Sequence, residues 1–130
     1  MRAYDDTAEP GQAGPDAAED ELRVEVRPGG DCVLVTVAGE LDIETLAPAR
    51  EAFTRALREH PVTVADLAGV TFCDSSGLGM LLQARANALA VGGRLRLAAM
   101  SPSVRRLLEL TGAAAAFGAD ATAAAVAEAR

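Results

Sequence analysis

Asp74-Ser75-Ser76-Gly77-Leu78-Gly79 is the segment whose residue types are best suited to chemistry, because it sets two hydroxyls beside a carboxylate where a loop turns into a helix. Leu78, Leu81, Leu82 and Leu89 mark the apolar stripe of that helix. A helix start presents unpaired N–H groups and a partial positive charge, so it accommodates an anion such as phosphate. The same residues also read as plain caps, with Gly77 and Gly79 serving tight packing or backbone bending. Helix physics leaves both readings open.

Other chemistries fit these residues poorly. A phosphate-binding P-loop needs Lys and then Ser or Thr after its second glycine, whereas Gly79 is followed by Met80 and Leu81; a dinucleotide fingerprint lacks its third glycine. A serine hydrolase needs a base oriented by a third group, and the one histidine, His60, lies at a helix-to-strand connection with a strand's length between it and Asp74. Cys32 and Cys73 sit in apolar runs without CxxC or Cys/His spacing, which reads as two buried reduced thiols and gives no metal site, disulfide or cofactor.

Composition narrows the class further. At 130 residues, half of them apolar, the chain has material for one core. Residues 1–20 hold six acids (Asp5, Asp6, Glu9, Asp16, Glu19 and Asp20) against Arg2 alone, so they carry −5 of the formal −7 and leave −2 for the rest. With almost no large apolar residue, 1–20 reads as a disordered acidic leader before a single domain over 21–130. A body of net charge −2 does not suit direct nucleic-acid binding, which needs clustered cations, and Arg105 with Arg106 are too few. No run of about eighteen apolar residues is present, so no membrane span is expected and a cytoplasmic setting follows.

The elements that must position the serine loop can be read from periodicity. Leu22, Val24 and Val26 alternate with Arg23, Glu25 and Arg27 as a strand with one wet face, and the turn cluster 28–31 joins it in a hairpin to a β-branched run over 33–38. Residues 39–42 are expected to break that run. Thr45 is expected to cap a helix bearing Leu46, Ala49, Phe53 and Ala56 or Leu57, with Pro48 in its first turn. A buried strand over 62–67 ends at a Gly69 bend before the serine loop, and Gly92-Gly93 stop the next helix. A strand over 94–99 faces Leu95 and Leu97 inward; a Ser101-capped helix then buries Val104, Leu107 and Leu108 up to Gly112, and an Ala-rich helix follows over 119–127. Strands separated by single helices favour parallel pairing, giving an α/β fold with a mixed sheet backed mainly on one side.

Three stretches in register carry a family resemblance. Val35-Thr36-Val37-Ala38-Gly39-Glu40-Leu41-Asp42, then Asp66-Leu67-Ala68-Gly69-Val70-Thr71-Phe72-Cys73-Asp74-Ser75-Ser76-Gly77-Leu78-Gly79, closely resemble STAS-domain anti-sigma factor antagonists of bacterial partner-switching systems. The similarity continues through Gly92-Gly93 and Ser101-Pro102-Ser103-Val104-Arg105-Arg106-Leu107, so it spans roughly residues 22 to 112. Residues 111–117 are smaller than is usual in the family, and the acidic leader is an addition.

The resemblance implies a STAS-like mixed sheet of four to five strands with about four helices. It also implies a transcription regulator that is not an enzyme. The first serine of the loop, here Ser75, would be phosphorylated by a partner that is both anti-sigma factor and Ser/Thr kinase. Binding of that partner to the unphosphorylated form releases a sigma factor; phosphorylation ends binding, and a PP2C-type phosphatase resets the cycle. Asp42, Asp74, Ser75, Ser76 and Gly77 become the expected partner contacts, although Asp42 also reads as a helix cap and Ser76 as a structural hydroxyl. The alternative within the family is a scaffold or sensing module, stressosome-like or an orphan regulator, that binds another protein or a small ligand.

Overall fold

The computed structural model describes residues 21–117. The leader expected over 1–20 and the helix expected over 119–127 lie outside the described residues. The elements are β1 (Arg23–Gly29), β2 (Cys32–Leu41), α1 (Ala47–Glu59), β3 (Val62–Cys73), α2 (Ser75–Ala90), β4 (Arg94–Met100), α3 (Pro102–Thr111) and α4 (Ala114–Phe117). The four strands form one sheet in the order β1-β2-β3-β4. β1 runs antiparallel to β2, while β2, β3 and β4 are mutually parallel, so the expected mixed sheet is present.

The hairpin turn is tighter than the cluster 28–31. Pro28 and Gly29 pair with Val33 and Cys32, leaving Gly30 and Asp31 as the connection. Gly30 supplies the positive φ that two-residue hairpin turns require, and Pro28 is tolerated because β1 is an edge strand.

β2 also runs further than the β-branched run, continuing through Gly39 to Leu41. Gly39 does not break it because the glycine is needed there. Its φ is +102°, and a β-carbon would collide with the Glu21 carbonyl oxygen of the chain entering β1. Along β2, Val33, Val35, Val37 and Leu41 are buried and the alternate residues only half-buried, so the sheet packs through one face.

β3 is one strand of 12 residues, and Gly69 is not its end. Pairing with β2 slips by one residue between Asp66 and Gly69 and again between Val70 and Phe72, so two bulges absorb what the sequence suggested was a bend. The Asp66 carboxylate accepts the Ala68 N–H at 3.1 Å across the first of these. The shifts bring Leu41 opposite Cys73, which makes Asp42 and Asp74 the residues leaving adjacent strand ends.

The helices close the core over the face of Val33, Val35, Val37, Ala65, Leu95 and Leu97. α1 buries Ala49, Phe53, Ala56 and Leu57 as expected, with Pro48 in its first turn. Thr45 does not cap it: the N-cap position is Leu46, without a side-chain bond, because the Thr45 hydroxyl is committed to the preceding turn. α2 buries Leu78, Met80, Leu81, Ala84 and Ala88, while Leu89 is 49% exposed. Seven residues carry Leu81 to Ala88 on the inner stripe, and the same step carries Leu82 to Leu89 about 100° away around the helix. α3 starts on the Ser101 hydroxyl, which accepts the Val104 N–H at 3.3 Å, and ends at Gly112 with φ 75°. Val104 and Leu108 are buried and Leu107 partly so. Phe117 of α4, 1% exposed, fills the core from the segment that looked too small to do so.

Candidate functional site

Asp42 and Asp74 frame the loop from two strand ends. Asp74 is the N-cap of α2: its Oδ1 accepts the Gly77 N–H at 3.0 Å, and its carbonyl accepts the Leu78 N–H at 3.0 Å. Capping thus falls to Asp74 and not to Ser76. Ser75 takes the first helical position and is exposed, its hydroxyl without a hydrogen bond among the described residues; Ser76 is half-buried. Ser75 is therefore open to solvent in the folded chain.

Asp42 organises the turn between β2 and α1. Its Oδ1 accepts the N–H groups of Glu44 at 2.9 Å and Thr45 at 3.1 Å, an Asx-type turn. Thr45, which sequence reasoning assigned elsewhere, holds this turn from beneath. Its hydroxyl donates to the Glu40 carbonyl at 2.6 Å and accepts the Asp42 N–H at 3.0 Å. The Asp74 N–H in turn donates to the Leu41 carbonyl at 3.3 Å, tying the two acidic turns together.

Cys73 lies directly beneath the loop. Burial, reinforced by the neighbouring Asp74 charge, pushes its thiol up to about 11, so it stays protonated at neutral pH and donates weakly to the Asp74 carbonyl at 3.6 Å. Cys73 is buried as expected, but Cys32 is only half-buried because it lies on the uncovered face of the sheet. Among the described residues no group of three His, Cys, Asp or Glu could hold a metal.

His60 follows α1 and precedes β3, whereas Ser75 follows the other end of β3. Twelve strand residues at ~3.3 Å each place them on the order of 35 Å apart, too far for a catalytic pair. The loop thus offers an accessible hydroxyl, a helix N-terminus and two carboxylates.

Two features of the loop's surroundings were not legible from spacing. Ile43 and Phe72 are exposed beside the acidic turns, and a groove opens between α1 and α2 next to Ser76. Ile43 follows the reverse turn and Phe72 points away from the core on a bulged strand, and neither geometry leaves a periodic signal.

Comparison with known proteins agrees with this geometry. A family profile described as "Mlab, STAS domain" matches residues 24–117. The anti-sigma F factor antagonist of Paenibacillus polymyxa is 34% identical over 95 residues, covering 70% of this chain and 80% of that protein. A solved anti-sigma factor antagonist from Mycobacterium paratuberculosis matches with a TM-score of 0.63 at 29% identity, over 76% of this chain and 85% of that one. The Bacillus cell fate determinant SpoIIAA, solved in its phosphorylated form, matches with a TM-score of 0.56 at 26% identity, over 70% of this chain and 83% of that one. The expected fold, a mixed sheet with helices arranged as in these proteins, is the one observed.

Proposed function

The chain belongs to the STAS-domain family, and from that premise we propose that it is an anti-sigma factor antagonist switched by phosphorylation of Ser75. In the unmodified form it binds an anti-sigma factor with Ser/Thr kinase activity, and a sigma factor is thereby released. Phosphorylation by the bound kinase ends the complex, and a PP2C-type phosphatase restores the binding form. The protein acts as a non-catalytic cytoplasmic module; no helix among the described residues is long and apolar enough to cross a membrane.

The observation that carries this reading is the exposed Ser75 at the first position of α2, with the Asp74 carboxylate as its neighbour and Asp42 leaving the adjacent strand. A phosphoryl group there adds about −1.5 to −2 charges to a loop that already holds two. Repulsion and the new hydration shell then oppose docking of a surface that fitted the unmodified loop. The start of α2 offsets part of the added charge, so the phosphoprotein keeps its fold and loses affinity through a local change. That SpoIIAA, a relative of the same fold, has been solved in a phosphorylated form supports the scheme.

The test is a binding comparison with the anti-sigma kinase from the same cell. The Ser75→Ala chain should retain it in the presence of ATP, and Ser75→Asp should bind it at least tenfold more weakly. Equal affinity of the two variants would contradict the switch.

A further inference from the structure

The helices bury their apolar residues in one core on one face of the sheet, and among the described residues they leave the other face uncovered. Along β4, Leu95 and Leu97 point into the core, so Arg94 and Arg96 stand on the open face with Cys32 and Leu34 of β2. The register aligns these residues in rows across the strands. Arg27 lies opposite Leu34, Leu34 opposite Val64 and Val64 opposite Arg96, while Cys32, Val62 and Arg94 form the next row. The half of the open face nearest the hairpin is therefore an apolar strip with arginines at its margins. Val64 is 3% exposed yet lies outside the core cluster, so its shielding comes from this face.

Charge on the open face is divided between its two halves. Arg27, Arg94 and Arg96 flank the strip, with Asp31 in the hairpin turn at its edge, whereas Glu25, Asp66 and Glu40 lie toward the serine-loop end together with Arg23. Glu25 reaches Arg27 at 3.8 Å, and the Asp66 carboxylate accepts the Ala68 N–H. Arg94 and Arg96 form no ion pair among the described residues. Three like charges within two rows of a sheet repel one another, and an anionic segment laid between them relieves that repulsion.

We propose that the acidic segment 1–20 of the same chain lies across this strip and sets its carboxylates against Arg27, Arg94 and Arg96. The segment carries six acids against Arg2 and joins the fold at Glu21, just before β1. Its reach suits the distance. β1 begins at the serine-loop end, so at ordinary strand spacings the strip lies about 20 Å along β1 and about 14 Å across to β4. The chain from Glu9 to Glu21 extends to about 40 Å, which brings Asp5, Asp6 and Glu9 within reach of both margins. Tethering supplies an effective concentration on the order of millimolar, so individually weak surface pairs act together. The exposed Arg55 and Arg58 of α1 are a poorer target because Glu51 and Glu59 share that helix surface. A second copy is disfavoured as occupant, since its own strip presents the same three cations. This inference does not depend on the function proposed above.

Apart from its α-amino group the chain has no amine, because it contains no lysine, so one introduced lysine reports which carboxylates lie beside it. In full chains carrying Arg96→Lys or Arg94→Lys, a zero-length carbodiimide should couple the new side chain to Asp5, Asp6 or Glu9 within one molecule, as mapped by peptide mass spectrometry of the monomer. Arg58→Lys, exposed on α1 near the same end of the sheet, should couple to residues 1–20 at least fivefold less. Adding Arg27→Gln and Arg94→Gln to the Arg96→Lys chain should lower coupling at least threefold; a segment that merely passes within reach predicts no change. Equal coupling at the α1 and β4 positions, or insensitivity to the added substitutions, overturns the proposal. So does coupling found only between two molecules, or only to Asp66 and other carboxylates of the folded body.

Discussion

The α-carbon of Gly77 rests against the Leu41 carbonyl so closely that a β-carbon there would sit 2.8 Å from its oxygen. This contact seats the first turn of α2 on the end of β2 and sets where Ser75 emerges. Helix propensity alone makes Gly→Ala stabilising by about 1 kcal/mol. Gly77→Ala should do the reverse, lowering stability by roughly 1–3 kcal/mol through overpacking, whereas Gly79→Ala should stabilise. Urea unfolding of the two variants side by side gives both signs.

Asp74 combines two roles that substitution can separate. Asp74→Ala removes the cap on the Gly77 N–H and should cost about 1 kcal/mol. Asp74→Asn keeps an acceptor for that bond and removes the charge. It should retain near-parental stability, and its phosphorylated form should bind the partner more tightly than the phosphorylated parent does, because one of the repelling carboxylates is gone. Thermal unfolding and a titration with the phosphorylated chains measure the two effects.

Cys73 predicts a pH effect. Its thiol lies at about 11 in the folded chain against an ordinary 9.0, so between these values the unfolded chain releases a proton that the folded chain keeps. Stability contributed by the buried thiol is therefore intact below pH 9 and declines as pH rises toward 11. Cys73→Ser should flatten that decline in denaturant midpoints taken from pH 8 to pH 11. At pH 8 Cys73 should also resist iodoacetamide until the chain unfolds.

Thr63 is fully buried between Val33 and Leu95 in the sheet register, and its hydroxyl finds no partner among the described residues. Thr63→Val removes a desolvated polar group at nearly constant shape. It should leave stability unchanged or raise it by up to about 1 kcal/mol, read from urea midpoints at constant m-value.

Much of this fold could be read from local pattern because its signals are local. The alternation of Leu95 and Leu97 with arginines, the Ser101-Pro102 start of α3, and the Gly112 stop each depend on a few neighbouring residues, and the structure places them as expected. What local pattern missed came from pairing. Gly69 resembles a strand end, yet β2 supplies partners on both sides of it, so it becomes part of a bulge. Thr45 has the chemistry of a cap, but the Glu40 carbonyl five residues back competes successfully for its hydroxyl. Within the site, a loop-to-helix turn at Asp74-Ser75-Ser76 follows from motif and helix physics, which left the cap open among the three; the structure assigns it to Asp74. The groove between α1 and α2 depends on how two helices separated by β3 come together, and no spacing within either one encodes that.

The account rests on phosphoryl transfer to a single oxygen. Incubating the full chain with its anti-sigma kinase and ATP, then measuring intact mass and mapping the fragments, tests this most directly. One added phosphate located on Ser75, and none on the Ser75→Ala chain, is the predicted result. A phosphate on Ser76, or undiminished incorporation in Ser75→Ala, would contradict it.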